Sequence, residues 1–200
     1  YSNIISLADM TAEKTGLEEL TLDLLVFICM SRALKERYKE RRLDMQIFKD
    51  SMLDLKYKML ECKAVRGITG TFVASWFKRF FDMTRFALGR LQFETTELRY
   101  DYEKNGKILK AGDTVINVHI PRSLTPIDKE SCDRSYAWAR EFFADEIKGV
   151  FAFVCSSWLL YPEHYKMLSE KSNTYRFMKD YKGEEMGTGA DLSSFPDKDK

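Results

Sequence analysis

Leu88-Gly89-Arg90-Leu91-Gln92-Phe93-Glu94 is the stretch on which the reading of this fold turns. Upstream of it Phe72, Val73, Trp76, Phe77, Phe80 and Met83 recur at helical spacing, and from Leu91 onward the period becomes two. Leu91 and Phe93 then share one face and Arg90, Gln92 and Glu94 the other, because successive strand residues point to opposite sides. The pattern predicts an aromatic helix that runs into a strand at Leu88. It divides the chain into a helical layer over 1–84, a sheet with helices over 85–182, and a polar, glycine-containing segment over 183–200 that reads as a mobile tail.

Before the switch, Thr15-x-x-Glu18 has the form of a capping box and predicts a helix from there to about Tyr38. A second helix is expected from Asp44, where Ile47, Phe48, Met52, Leu55, Met59 and Cys62 repeat at threes and fours until Gly67. The methionine and aromatic content of these helices reads as core, so the layer is expected to pack on the sheet.

After the switch, Asn105-Gly106 between two lysines is a hairpin signal, since a type I′ turn needs positive φ at both central residues. Val115, Asn117 and His119 alternate with Ile116, Val118 and Ile120 as in a half-buried strand. Thr125-Pro126-Ile127-Asp128 predicts a helix capped by Thr125, with Cys132, Tyr136, Ala139, Phe142, Phe143 and Ile147 as its apolar stripe. Val150 to Cys155 is continuously apolar and predicts a strand covered on both faces, followed by short helices opened by Pro162 and Ser172.

Composition narrows the function classes. The chain has 200 residues, 44% of them hydrophobic, which is enough for a folded core. With 32 Lys and Arg against 31 acidic residues there is no net field for nucleic acid. The longest apolar run, Leu24 to Met30, is far short of the roughly 20 residues that span a bilayer. Cys29, Cys62, Cys132 and Cys155 form no Cys-x-x-Cys pair, and two histidines without paired spacing make no metal motif; together these predict a reducing, cytoplasmic setting and no metal. The chain opens on Tyr1, which suggests a segment or domain upstream.

Several strings resemble a known family: Trp76 in its aromatic helix, Leu88 to Glu94, Gly112-Asp113 leading to Val118-His119-Ile120-Pro121, Cys132-Asp133-x-Ser135, Ser157-Trp158-Leu159-Leu160-x-Pro162 and Ser172-Asn173. The chain is similar to bacterial acyltransferase-domain proteins with a GNAT-like C-terminal domain, and its later part resembles the later half of the GNAT N-acyltransferase fold. The resemblance implies an α/β (α+β) fold, a mixed, mostly antiparallel sheet with flanking helices. It also implies an acyl-CoA donor such as acetyl-CoA and a small-molecule or peptide amine as acceptor. Tyr165 falls on the helix where many GNAT enzymes keep a tyrosine that protonates the leaving thiolate. In one respect the chain departs from the pattern. GNAT enzymes hold the coenzyme A pyrophosphate on a glycine-containing loop, whereas Pro121-Arg122-Ser123-Leu124-Thr125-Pro126 has no glycine and two prolines that lack the donor. Arg122, Ser123 and Thr125 are then the candidates to bind a phosphate by side chains.

Two strands of one sheet would place Arg90, Gln92, Glu94, Asn117 and His119 on a common face. There His119 is a candidate general base and Glu94 the group that orients it, since imidazole titrates near neutrality and a carboxylate fixes its tautomer. Arg90, Gln92 and Asn117 are candidate substrate contacts. The ordinary structural readings stand beside these: a satisfied internal network for the polar face, a turn and helix cap for 121–126, and a chance tyrosine at 165. They correspond to a second function class, a catalytically silent interaction module on the same fold.

Overall fold

The helices follow from their caps and apolar stripes. A computed structural model describes residues 10–11, 14–104 and 106–181, so the segment read as a tail lies outside the described residues. Among the described residues, helices α1 (Glu19–Glu40), α2 (Met45–Arg66) and α3 (Ala74–Phe81) precede the sheet. Asp44 caps α2 as expected, accepting from the Gln46 amide, and Gly67 ends it in the left-handed conformation that an L side chain resists. The capping box at Thr15 does not form. Gly16 takes φ +67° and breaks the turn there, and α1 begins at Glu19 with no side-chain cap.

Between α2 and α3 the chain crosses the first turn of α1. The Thr71 amide donates to the Leu20 carbonyl at 2.9 Å, and Thr21 Oγ1 donates to the Thr69 carbonyl. A Cβ on Gly70 would stand 2.4 Å from the Leu20 backbone carbon and oxygen. Gly70→Ala is therefore expected to cost about 1–3 kcal/mol by forcing this crossing open. An unchanged urea midpoint for that variant would show that the crossing has slack.

The helix-to-strand switch comes earlier than the sequence pattern predicts. Strand β1 (Arg85–Leu88) already pairs antiparallel with β2 (Leu91–Glu97), so Gly89-Arg90 is the turn of a tight hairpin, with Gly89 at φ +77°. Phe80, Phe81 and Phe86 mask the boundary because they continue the aromatic run across it. Strands β3 (Tyr102–Lys104) and β4 (Lys107–Leu109) pair antiparallel as a separate two-stranded ribbon, and Asn105 of the expected turn lies outside the described residues. Strand β5 (Thr114–His119) pairs antiparallel with β2 and parallel with β6 (Phe153–Val154), giving the order β1-β2-β5-β6. The expected long buried strand over 150–155 is only these two residues, both half-buried. The next helix, α4 (Lys129–Phe142), is capped by Asp128 rather than Thr125. Pro126 and Ile127 belong to the preceding loop. Helices α5 (His164–Met167) and α6 (Asn173–Tyr181) close the described chain.

Strand pairing assigns the faces. Phe86, Phe93 and Val118 lie opposite one another on the face that meets α4, where Phe86 packs on Phe142 and Phe143 and Phe93 on Tyr136. On the other face the same register aligns Arg85 with Glu94 and Asn117, and Ala87 with Gln92 and His119. Helices α2 and α3 cover this second, polar face, and α1 locks onto α3 through Phe27 stacked on Phe77 and Phe81. One apolar core joins residues of α1, α2, α3, the sheet and α4.

Candidate functional site

A buried glutamate is the centre of the polar face. Glu94 Oε1 accepts from His119 Nε2 at 2.8 Å, Arg85 Nη2 at 3.1 Å and Asn117 Nδ2 at 3.3 Å. Its Oε2 accepts from Arg85 Nε at 3.2 Å and takes an ion pair with Arg79 Nη1 at 3.2 Å. Burial alone would raise the pKa of this carboxyl, but the hydrogen bonds from His119 and Arg85 and the charge of Arg85 override it and hold it at about 2. Glu94 is thus a carboxylate at any physiological pH.

Its state fixes that of His119. An ionised carboxylate only accepts, so Nε2 carries the ring hydrogen and Nδ1 is left with its lone pair. Asn117 Nδ2, 3.2 Å from Nε2, meets a donor there and is held by Glu94 instead. Burial lowers the imidazole below its ordinary value, Glu94 opposes this, and the Arg85 and Arg79 charges add to the lowering. The ring stands edge-on to Trp76, with centroids 5.0 Å apart, and Trp76 in turn lies under the Arg85 guanidinium at 3.9 Å. The side chain keeps 15% of its surface exposed. A neutral imidazole, tautomer fixed by a buried carboxylate and with one basic nitrogen uncommitted, is competent as a general base.

The polar face therefore gathers Gln92, Glu94, Asn117 and His119 as the alternation predicts. Arg90 does not join them. It sits in the hairpin turn, where its Nε and Nη1 donate to the carbonyls of Pro126 and Pro121 at 3.0 and 3.2 Å, fastening the 121–126 loop to the sheet. Its backbone amide donates to Ser135 Oγ at 2.8 Å, tying the turn to α4.

That loop borders a cavity of about 460 Å³, lined by Gly89, Arg90, Thr125, Ser131 and Arg134 among others at the start of α4. Ser123 and Thr125 hydroxyls lie 3.0 Å apart, and Arg122 reaches across to Glu61 at 3.0 Å in an exposed pair of little energetic weight. Strands β5 and β6 are paired only at Ile116–Phe153 and Asn117–Val154, so no residue of β6 pairs with Val118 or His119, and His119 is not among the residues that line this cavity. Tyr165 packs edge-on against Tyr175 on α6, and no contact described for it reaches Glu94 or His119.

Sequence reasoning missed Arg85, Arg79, Trp76 and Asp54. Trp76 Nε1 donates to Asp54 Oδ2 at 3.0 Å, which links α2 to α3 over the sheet. The signal for Arg85 was present, since Phe86-x-Leu88-Gly-x-Leu91-x-Phe93 is a symmetrical apolar alternation about a glycine turn. Among the described residues no three His, Cys, Asp or Glu side chains converge as a metal site would require. No described helix is long and apolar enough to cross a membrane. Burial pushes the Cys132 thiol up to about 11 and that of Cys155 to about 12, so neither is a ready nucleophile.

Comparison with known proteins identifies the domains and the fold. Residues 86–194 match the model of the GNAT-like C-terminal domain, and residues 4–83 match that of the N-acyltransferase N-terminal domain. Among curated proteins nothing matches. Among solved structures the chain is similar to an acyltransferase in complex with decanoyl-CoA and teicoplanin, at TM-score 0.68 and 22% identity over 80% of this chain and 47% of that one. It is also similar to an acyltransferase in complex with decanoyl-CoA, at TM-score 0.66 and 23% identity over 80% of this chain and 48% of that one. The chain thus spans less than half the length of these structures.

Proposed function

The chain belongs to the family of the GNAT-like C-terminal domain, and from that premise we propose that it is an acyl-CoA-dependent N-acyltransferase acting on an amine-bearing small molecule or peptide. The observation that carries the proposal is the neutral His119, held by Glu94 with Nδ1 uncommitted, on the polar face of β5 beyond its last pair with β6. The acyl-CoA complexes of the structurally similar acyltransferases support the choice of donor.

The step is direct attack. The acceptor arrives as an ammonium, His119 Nδ1 takes one proton, and the amine lone pair attacks the thioester carbonyl. The C–S bond breaks as the C–N bond forms, and the second proton on nitrogen goes to the departing thiolate. The products are the amide, free CoA and one proton returned to solvent. Glu94 stays ionised throughout and stabilises the imidazolium as it forms. The pyrophosphate of the donor is assigned to the cavity at the start of α4. In the absence of glycine amides, the groups proposed for it are the Thr125 hydroxyl on the cavity wall and, from the adjoining loop, the Ser123 hydroxyl and Arg122, whose exposed pair with Glu61 is released at little cost. By the resemblance to GNAT enzymes, Tyr165 is the group proposed to protonate the thiolate. The free thiols support a cytoplasmic setting for this chemistry.

The test is release of CoA thiol from acyl-CoAs of acetyl to decanoyl length in the presence and absence of primary amines. Amine-dependent release is expected. Absence of acyl-CoA binding and of release with every amine would leave the interaction-module reading in its place.

A further inference from the structure

A second, smaller cavity lies on the same polar face, about 110 Å³, between α2 and the hairpin turn. Its walls include Asp54 and Tyr57 of α2, Ala87 and Gln92 of the sheet, and Ser123 of the loop. Two features of these walls are unusual. Asp54 and Gln92 are 2% and 1% exposed, and Asp54 Oδ1 and Gln92 Oε1 have no hydrogen-bond donor. Buried acceptors are nearly always satisfied, so two orphans on one cavity point to something that donates there.

We propose that this cavity seats the ammonium group of the acceptor, with Asp54 as its anionic anchor and Gln92 as its second acceptor. The assignment rests on the acyl-transfer reading for the meaning of "acceptor", but the binding claim stands on the cavity itself. An ammonium has three donors and no acceptor, which matches two acceptor oxygens and one buried negative charge. Position supports it as well. Gln92 is the direct cross-strand partner of His119, which puts this wall of the cavity next to the His119 position on the same face of the sheet. Cationic competitors in the neighbourhood are committed elsewhere: Arg90 to the carbonyls of Pro121 and Pro126, Arg85 to Glu94, and Lys58 to Glu61. Burial raises the pKa of Asp54 against the lowering effects of the Gln92 amide N–H, which leaves Gln92 Oε1 still without a donor, and of Lys58, Trp76 and Arg85; a bound cation would oppose that shift. The larger cavity shares Asp50, Gly89, Arg90 and Thr125 with this one, leaving space for the rest of an acceptor.

The experiment is a titration of the protein with n-propylammonium and, in parallel, with its near-isostere n-propanol, followed by the NMR signals of the Trp76 indole N–H and the Gln92 side-chain amide. Saturable shifts with propylammonium and not with propanol are expected, and Asp54→Asn is expected to weaken the binding at least tenfold. Equal responses to both compounds, or none to either, would overturn the assignment, and so would undiminished binding by a folded Asp54→Asn variant. The wild-type pair of titrations decides the matter alone should that variant fail to fold. CoA release separates this claim from the reaction. Binding that needs Asp54 without any CoA release would remove the acyl-transfer reading and keep the site. Amine-dependent release with an unaltered KM for amine in Asp54→Asn would do the reverse.

Discussion

Glu94→Gln is expected to destabilise the protein by about 3–5 kcal/mol, the range for removing one partner of a buried ion pair. Glu94 is the counter-ion of Arg85, and both side chains are about 95% buried. A glutamine keeps the shape and part of the hydrogen bonding but leaves the Arg85 guanidinium without its charge partner, against a total stability that is ordinarily only about 5–15 kcal/mol. Arg79→Ala is the internal control. Its guanidinium is 54% exposed, so the loss there should be at most about 1 kcal/mol. The same argument predicts acid sensitivity. Glu94 has a folded-state value of about 2 against an ordinary 4.5, so the unfolded chain binds the proton more readily. The stability it contributes, on the order of 3 kcal/mol, is present above pH 4.5 and is lost as pH falls from there through 2. Urea unfolding at pH 7 and pH 3 measures both effects. A Glu94→Gln variant within about 1 kcal/mol of the wild type at pH 7 would show that Arg85 is stabilised by something other than this carboxylate.

The second large effect is on turnover. His119→Ala is expected to lower kcat/KM for the amine by about 10²–10⁴-fold, the usual contribution of a positioned general base. Affinity for acyl-CoA should stay within about twofold, because the groups assigned to the donor lie in the 121–126 loop and make no described contact with the imidazole. The paired readout matters, since a merely structural histidine would move both quantities together. Turnover within threefold of the wild type would remove His119 from the chemistry.

Much of this site was legible before any coordinates. Strand alternation alone puts Gln92, Glu94, Asn117 and His119 on one face, because the apolar partners Leu91, Phe93, Ile116 and Val118 must claim the other. Alternation says nothing about which helices cover that face, so Trp76, Asp54 and Arg79 stayed invisible. They come from helices separated from the strands by many residues, and only tertiary packing brings them over the sheet. Arg85 was hidden for a different reason. The aromatic run from Phe77 through Phe81 to Phe86 fits a helical period well enough to conceal a four-residue strand, and β1 becomes evident only from its pairing with β2. The same kind of local ambiguity placed the cap of α4 at Thr125. Asp128 takes that role because its carboxylate accepts from the Ser131 amide and from Ser131 Oγ, while Ser123 and Thr125 bond to each other in the loop.

The core of the account is that His119 is neutral at physiological pH, protonated on Nε2 by its bond to Glu94, with Nδ1 free to take a proton. The chain has only two histidines, so long-range ¹H–¹⁵N NMR spectra of the imidazole rings resolve this one by its absence in His119→Ala. The account predicts the Nε2–H tautomer at pH 7 and a titration midpoint below the ordinary 6.5. An Nδ1–H tautomer, or a midpoint above 6.5, would contradict it.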